Sequence, residues 1–198
     1  MSTGSLPAIG PEIFRFAQRC QTAADVWLSP PDPVARVCTA WKVLQSMPSV
    51  QASDEESALA CIVSRLAARV AREIDALGEG RGPIRPHPAA AIVWMARHLA
   101  EPSADLRALA TALGVSRWHL SRVISRETGH GFAEHLHGLR VLEAAHLLAT
   151  TRLSVKEVAA AVGYPRTGEL DRHFGRRLRM TPSRFRAGLE HAAFRVRH

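Results

Sequence analysis

A pattern of apolar and small residues occurs twice in the C-terminal half of the chain, at a distance of 49 to 50 residues. Each copy consists of a short apolar stretch, a glycine, and a longer, more polar and basic stretch. The matched positions are Leu106, Leu109, Ala110, Leu113 and Gly114 in the first copy, and Val155, Val158, Ala159, Val162 and Gly163 in the second. Leu120 and Ile124 then match Leu170 and Phe174. This duplication restricts the region to two copies of one helical unit.

The residue types in each copy suit a tight hairpin of two helices. The small alanine lets the helices cross closely, and the glycine permits the left-handed backbone conformation that a sharp turn often needs. Val115 and Tyr164 fill the corner after the glycine, while Leu120 and Leu170 anchor the second helix and leave its other face exposed. Such a unit is a helix-turn-helix, whose second helix enters the major groove of DNA.

The periodic segments of the chain are helical and none alternates with period two, so we expect an all-α fold. The C-terminal region, 89–198, should contain seven helices, with helix-turn-helix units at about 104–128 and 155–178. The expected helices are at about 89–99, 104–113, 116–129, 132–150, 154–163, 167–178 and from Pro182 onward. The fourth of these would be about 28 Å long, close to the spacing of about 34 Å between successive major grooves. One chain can therefore place both units on one duplex.

A small helical domain is expected at 1–77, followed by a linker at 78–88 that is rich in glycine and proline. Its third helix starts near Ser53, where Glu56 completes a capping box. One face of that helix carries an apolar stripe formed by Leu59, Ile62, Val63, Leu66, Val70, Ile74 and Leu77. The stripe packs either within the chain or against a second subunit. In the second case the homodimer contact would be formed by Leu59, Ile62, Leu66, Val70 and Ile74. Dimerisation and sensing both stay open as roles for this domain.

The net positive charge lies entirely in the C-terminal part of the chain. Of 26 Lys+Arg and 18 Asp+Glu, residues 1–86 hold 9 of each, so the formal net charge of +8 arises after Pro86. Sixteen of the 17 basic residues there are arginine, whose guanidinium favours bidentate contacts with phosphate and guanine. A polyanionic partner is indicated, and the alternative is a solvated basic surface.

Several other classes of protein are not indicated by the sequence. No apolar run is long enough for a transmembrane helix and the first residues lack a secretory signal, so we expect a cytoplasmic protein. The chain has no Gly-rich phosphate loop and no nucleophile elbow, so we expect no enzyme and no cofactor. Two Glu-x-x-His pairs end at His137 and His146, but both lie on one predicted helix, whereas a di-metal site needs facing helices. The histidines expected at the surface or against the backbone are His130, His135, His137 and His173.

The segment from about Pro88 to Arg186 resembles the DNA-binding region of the AraC/XylS transcription regulators. The first unit carries the resemblance at Ser116 to Arg122, Glu127-Thr128-Gly129, Phe132, Leu139-Arg140 and Ala144, and the second at Val158-Ala159, Val162-Gly163-Tyr164, Arg172, Phe174 and Thr181 to Arg186. The resemblance implies a sequence-specific regulator that inserts two recognition helices into adjacent major grooves. Double-stranded DNA is then the expected partner and RNA polymerase a further candidate, while an effector stays unknown.

The resemblance also implies which side chains of the first unit meet DNA. Trp118, Ser121 and Arg122 share one face of the second helix, opposite Leu120 and Val123, and occupy base-facing positions. Arg122 can pair with guanine O6 and N7, whereas Trp118 has the alternative of a half-buried anchor. The expected phosphate contacts of both units are Arg117, His119, Arg126, Arg166, Arg176 and Arg177, with a solvated face as the alternative for the arginines.

The second unit departs from the family pattern. Thr167 and Arg172 are its expected base-reading residues, but Gly168 occupies a position where a side chain often reaches bases. We expect Pro165 and Gly168 to shorten or loosen the start of the helix. Glu169 and Asp171 would repel phosphates if they faced them. Arg179 stands where family members usually have glycine. The second unit should therefore read less sequence than the first.

Two other functions stay open. Cys20, Cys38 and Cys61 fall one in each predicted N-terminal helix, so a thiol- or metal-responsive regulator results if the three side chains meet. Otherwise they are small buried hydrophobes. A protein-interaction module that has lost DNA binding is the second alternative, which the acidic residues and Gly168 of the second unit favour.

Overall fold

The computed structural model describes residues 56–64 and 88–197, together with Arg15 and Gln18. The two ranges form eight helices without a strand among them, and α1 covers residues 56–64. The others are α2 (Pro88–Arg97), α3 (Leu106–Leu113), α4 (Arg117–Thr128), α5 (Phe132–Thr150), α6 (Val155–Ala161), α7 (Thr167–Leu178) and α8 (Pro182–Arg197). The all-α fold and the seven helices predicted for the C-terminal region are confirmed. The predicted N-terminal helices before α1, and the linker up to residue 87, lie outside the described residues.

Side-chain caps set where several helices begin. Ser116 caps α4, and Ser154 caps α6 through a capping box with Glu157, as these residue types favour. α3 begins at Leu106, two residues later than expected, because Asp105 accepts a hydrogen bond at 2.7 Å from the backbone N–H three residues on. The start predicted at about residue 104 was therefore wrong.

Glycine makes the turn in both units, as the repeat predicted. Gly114 has φ 65° and Gly163 has φ 81°, which is left-handed backbone that other residues rarely adopt. Gly163 meets a second constraint, because a Cβ there would lie 2.4 Å from the carbonyl oxygen of Leu99 and 2.9 Å from Arg140 Nη2. A larger residue cannot occupy the second turn without moving the loop after α2.

The connecting helix α5 forms the centre of the core. Eleven of its 19 residues are buried, and they lie on all sides of the helix, which is the pattern of a helix surrounded by others. It packs against α2, α4, α6, α7 and α8. Both units are therefore built onto one rod, the helix predicted at 132–150.

The described part of the apolar stripe packs inside this chain. Leu59 and Val63 are fully buried in the same core cluster as the C-terminal helices, and Ile62 packs against that cluster. Leu59 is therefore unavailable for the homodimer contact, which corrects that part of the prediction, whereas the half-buried Ile62 keeps part of its surface exposed. The other predicted contact residues, Leu66, Val70 and Ile74, lie outside the described residues.

Candidate nucleic-acid interface

α4 has a buried face and an exposed face that carry different chemistry. Leu120 and Ile124 are each 1% exposed and anchor the helix to the core. Trp118 on the other side is 76% exposed, Arg122 is exposed and Ser121 is half-buried. The half-buried-anchor alternative for Trp118 is therefore wrong, because its indole lies outside the core. A single exposed apolar side chain is ordinary on a protein surface, so the indole is informative because it shares the exposed face of α4 with Arg122.

Trp118 also borders a shallow cleft between α3 and α4. The cleft has a volume of about 370 Å³, and the guanidinium carbon of Arg117 lies 5.5 Å from the centre of the indole ring. Its lining residues are Asp105, Leu106, Arg107, Arg117, Trp118 and Ser121. Arg117, His119 and Arg126, which the sequence predicted as phosphate contacts, are all exposed.

α7 also has a buried anchoring face and an exposed face, but its exposed face offers fewer side chains that can contact DNA. Leu170 and Phe174 are fully buried anchors, whereas Arg172 is exposed and Thr167, at the start of the helix, is half-buried. α7 contains 12 residues, as many as α4, so Pro165 and Gly168 do not shorten it, and the alternative of a loosened start stays a prediction. No side chain caps its start, and a Cβ at the exposed Gly168 would meet nothing within 4 Å.

Two of the three arginines predicted as phosphate contacts in the second unit are exposed, and the third is not. Arg166 and Arg176 are exposed. Arg177 is only 8% exposed, and its Nη2 forms an ion pair with Glu134 of α5 at 3.2 Å. Its Nη1 donates to His173 Nδ1, also at 3.2 Å. The prediction for Arg177 is therefore wrong, because this guanidinium joins α7 to α5 and does not reach the solvent.

A stack of three rings occupies the joint between α5 and α7. The ring centres of His137 and His173 lie 3.8 Å apart, and Tyr164 stacks on both. The Tyr164 hydroxyl and His137 Nδ1 lie 3.1 Å apart and share a hydrogen bond. Burial, followed by nearby positive charges, lowers the pKa of both histidines to about 4, so both are neutral at pH 7. Burial also raises the pKa of Tyr164 to about 12.

The expected positions at the surface or against the backbone were wrong for two of the four histidines, because His173 is buried in this stack, whereas His137 is half-buried. His135 is buried as well, with its Nε2 2.7 Å from Thr128 Oγ1, and burial lowers its pKa to about 4. His130 is half-buried against the His135 ring. The helical spacing of His173 beside the anchors Leu170 and Phe174 was the signal that could have placed it inside.

Arg140 of α5 was missed as a structural residue. Its Nε donates to the Leu99 carbonyl at 2.8 Å and its Nη2 to the Glu101 carbonyl at 2.7 Å. The guanidinium carbon also lies 5.4 Å from the ring centre of Tyr164. Arg140 therefore holds the loop that precedes the first unit and the turn of the second unit to the same point of α5.

The described residues offer little support for metal or thiol chemistry. Within 56–64 and 88–197, no group of three or more His, Cys, Asp or Glu side chains is arranged to hold a metal ion. Cys61 is half-buried in α1, while Cys20 and Cys38 lie outside the described residues. No helix among those described combines the length and hydropathy needed to cross a membrane.

Comparison with known proteins finds similarity to helix-turn-helix proteins in this part of the chain. Residues 109–188 match the family described as a helix-turn-helix domain. The transcriptional regulator Rob of Salmonella typhimurium is 27% identical over 106 residues, which are 54% of this chain and 36% of Rob. The probable transcription factor PqrA of Proteus vulgaris is 31% identical over 78 residues, or 39% of this chain and 64% of PqrA. The chain thus spans about a third of the length of Rob.

One solved structure supports the same fold. The C-terminal domain of AraT, a response regulator from Geobacillus stearothermophilus, is similar with a TM-score of 0.50 and 29% identity. The match covers 54% of this chain and 88% of that domain.

Proposed function

We propose that residues 109–188, which match a helix-turn-helix domain, are of the AraC/XylS type and that the protein is a sequence-specific DNA-binding transcription regulator. α4 and α7 are its two reading helices, and they enter successive major grooves on one face of the duplex. The observation that carries the proposal is the exposed face of α4, where Trp118 is 76% exposed on a helix anchored by its opposite side. An enzymatic role finds no support in the family match.

The first unit supplies most of the sequence reading. Arg122 donates two hydrogen bonds to a guanine, and Trp118 packs on a thymine methyl group or a sugar edge. The hydroxyl of Ser121, one turn from Trp118, forms a hydrogen bond with the edge of a neighbouring base. Arg117, His119 and Arg126 contact phosphates, which fixes the position of the helix without reading bases. The exposure of all these side chains except the half-buried Ser121 supports this assignment.

The second unit contributes chiefly backbone contacts. Arg172 and Thr167 are its candidate base-reading residues, and Arg166 and Arg176 its phosphate contacts, all accessible at least in part. Asp171 is exposed next to Arg172 and repels phosphates. Gly168 has no side chain to contact a base, although the space around it is open. Contacts with RNA polymerase and with a second subunit stay predictions.

Selection from a pool of random-sequence duplexes tests the proposal. We expect a single motif that spans two helical turns, and retardation of the selected duplex at a lower protein concentration than a scrambled duplex of equal length. If neither duplex is retarded at low salt, where phosphate contacts are strongest, the proposal fails and an interaction module without DNA binding is favoured.

A further inference from the structure

Helix α1 packs closely against α8, the helix that follows the second reading helix. A Cβ at Gly188 of α8 would lie 3.3 Å from Ser57 Cα and 3.4 Å from Ala60 Cβ. Leu59, Ala60 and Val63 of α1 are each 0% exposed. The contact is therefore a packed interface in which even a Cβ at Gly188 requires α1 to shift by a few tenths of an ångström.

An ion pair closes the edge of this interface. Arg184 Nη2 donates to Glu56 Oε1, and Arg184 is the third residue of α8. Its counterpart in the repeat is Glu134, the third residue of α5, which pairs with Arg177 of α7. The helix after each reading helix thus forms an ion pair through its third residue. For α5 the partner helix is α7, and for α8 it is α1.

α8 is linked in turn to both helices of the second unit. Phe185 is fully buried and meets Phe174 of α7 edge to face, with ring centres 5.5 Å apart. Arg186 Nη2 donates at 2.6 Å to the carbonyl of Leu153, the residue before the Ser154 cap of α6. A displacement of α8 would therefore move the reading helix and the helix that supports it.

We propose that α1 braces the second helix-turn-helix unit, so that docking of α1 on α8 holds α7 in the orientation that reaches the second major groove. A signal or partner that removes α1 from α8 lowers the affinity for sites that occupy both grooves and leaves the first unit's contact with DNA intact. This regulation rests on the proposed function. It assigns the N-terminal segment a role within its own chain, where the sequence left dimerisation and sensing open.

A wedge at Gly188 tests the brace. Gly188→Leu raises the helix propensity of α8 but puts a side chain where Ser57 and Ala60 lie. Ala187→Leu is the matched control, because Ala187 is exposed on the same turn. In hydrogen exchange, we expect the amides of 56–64 to exchange about tenfold faster in Gly188→Leu and unchanged in Ala187→Leu. Unchanged exchange in Gly188→Leu overturns the docking.

DNA binding by the same variants tests the coupling. On a duplex selected by the wild-type chain, we expect the affinity of Gly188→Leu to fall about tenfold, while a truncated duplex that keeps only the first unit's groove is bound as before. Glu56→Arg should weaken binding in the same direction, and addition of Arg184→Glu should restore it. If the amides of 56–64 exchange faster in Gly188→Leu but this variant binds the full duplex as tightly as the wild-type chain or more tightly, the brace is overturned.

The two proposals fail in different ways. If the wild-type chain binds no duplex, the proposed function and the brace both fail, although the exchange experiment still reports docking of α1. If the wild-type chain binds and Gly188→Leu loses the truncated and the full duplex equally, DNA binding stands and the brace is overturned, because the wedge has then disturbed the whole domain.

Discussion

Arg172 and Arg177 lie five residues apart on α7, and the structure gives them opposite environments. Arg172 is exposed, whereas Arg177 is buried against Glu134. Leu170 and Phe174 mark the anchored face, and Arg177 follows Phe174 by three residues and Leu170 by seven, so helical spacing puts it on that face. The sequence contained this signal, but charge alone does not distinguish a surface arginine from a buried one with a partner on another helix.

Arg122 is expected to be the main base-reading residue of α4. Arg122→Ala should weaken binding to a selected duplex by about 1–3 kcal/mol and leave binding to random DNA nearly unchanged, because the bidentate pair with guanine is lost while phosphate contacts remain. Gel retardation on the two duplexes measures this. Arg97→Ala, an exposed arginine in the last turn of α2, is the control. Equal losses on cognate and random DNA would refute base reading by Arg122.

Arg179 carries a backbone conformation that costs stability. It has φ 55° at the end of α7, and its counterpart in the first unit, at the 50-residue offset, is Gly129 with φ 77°. Arg179→Gly should raise the free energy of unfolding by about 1 kcal/mol, because glycine adopts left-handed backbone without strain. Urea denaturation measures the change, and Gly129→Ala should shift stability in the opposite direction. A loss of stability in Arg179→Gly would mean that the arginine side chain compensates for the strain.

At the scale of the helix, α4 was predicted because Ser116 caps its start and Gly129 follows its end. α5 and α7 also span the residues expected, although no side chain caps the start of either helix. α3 was misplaced because both Ser103 and Asp105 are possible caps, and local sequence does not decide between them. The joint between α5 and α7 was not predictable, because it depends on which faces of two distant helices meet.

The two stacked histidines of this joint, His137 and His173, predict a pH dependence. Their pKa values are lowered to about 4 in the folded chain, against about 6.5 when unfolded. The unfolded chain therefore binds more protons between these values, so stability falls as the pH drops from about 6.5 to about 4 and is complete above that window. Urea midpoints measured across this range should decrease towards acid.

A matched pair of variants assigns this effect to the joint. His137→Gln removes one buried titrating group and should flatten the fall in stability, whereas His119→Gln, at an exposed position of α4, should leave the slope unchanged. A pH-independent urea midpoint in the wild-type chain would contradict the buried neutral histidines.

At the scale of the whole molecule, the repeat predicted the order of helices and that α5 connects the two units. It did not predict that α1 joins the same core, because the apolar stripe of α1 fits a partner subunit equally well by sequence. The contact became visible only through Gly188, whose lack of a side chain admits α1.

The charge distribution predicts how binding responds to salt. Four exposed arginines, Arg117, Arg126, Arg166 and Arg176, are the expected phosphate contacts, and each neutralised phosphate contributes about −0.9 to the slope of log affinity against log salt. The wild-type slope should be roughly −3 to −4, and Arg126→Ala should reduce its magnitude by about 0.9. A slope near zero would be incompatible with a basic DNA-binding face.

The central claim is that α4 and α7 enter successive major grooves of one duplex, and methylation protection of guanine N7 on a selected duplex tests it most directly. N7 lies in the major groove, so each inserted helix should protect guanines there. The account predicts two protected patches on one face of the DNA, about one helical turn apart, of which Arg122→Ala weakens only one. A single protected patch, or two patches on opposite faces, would contradict it.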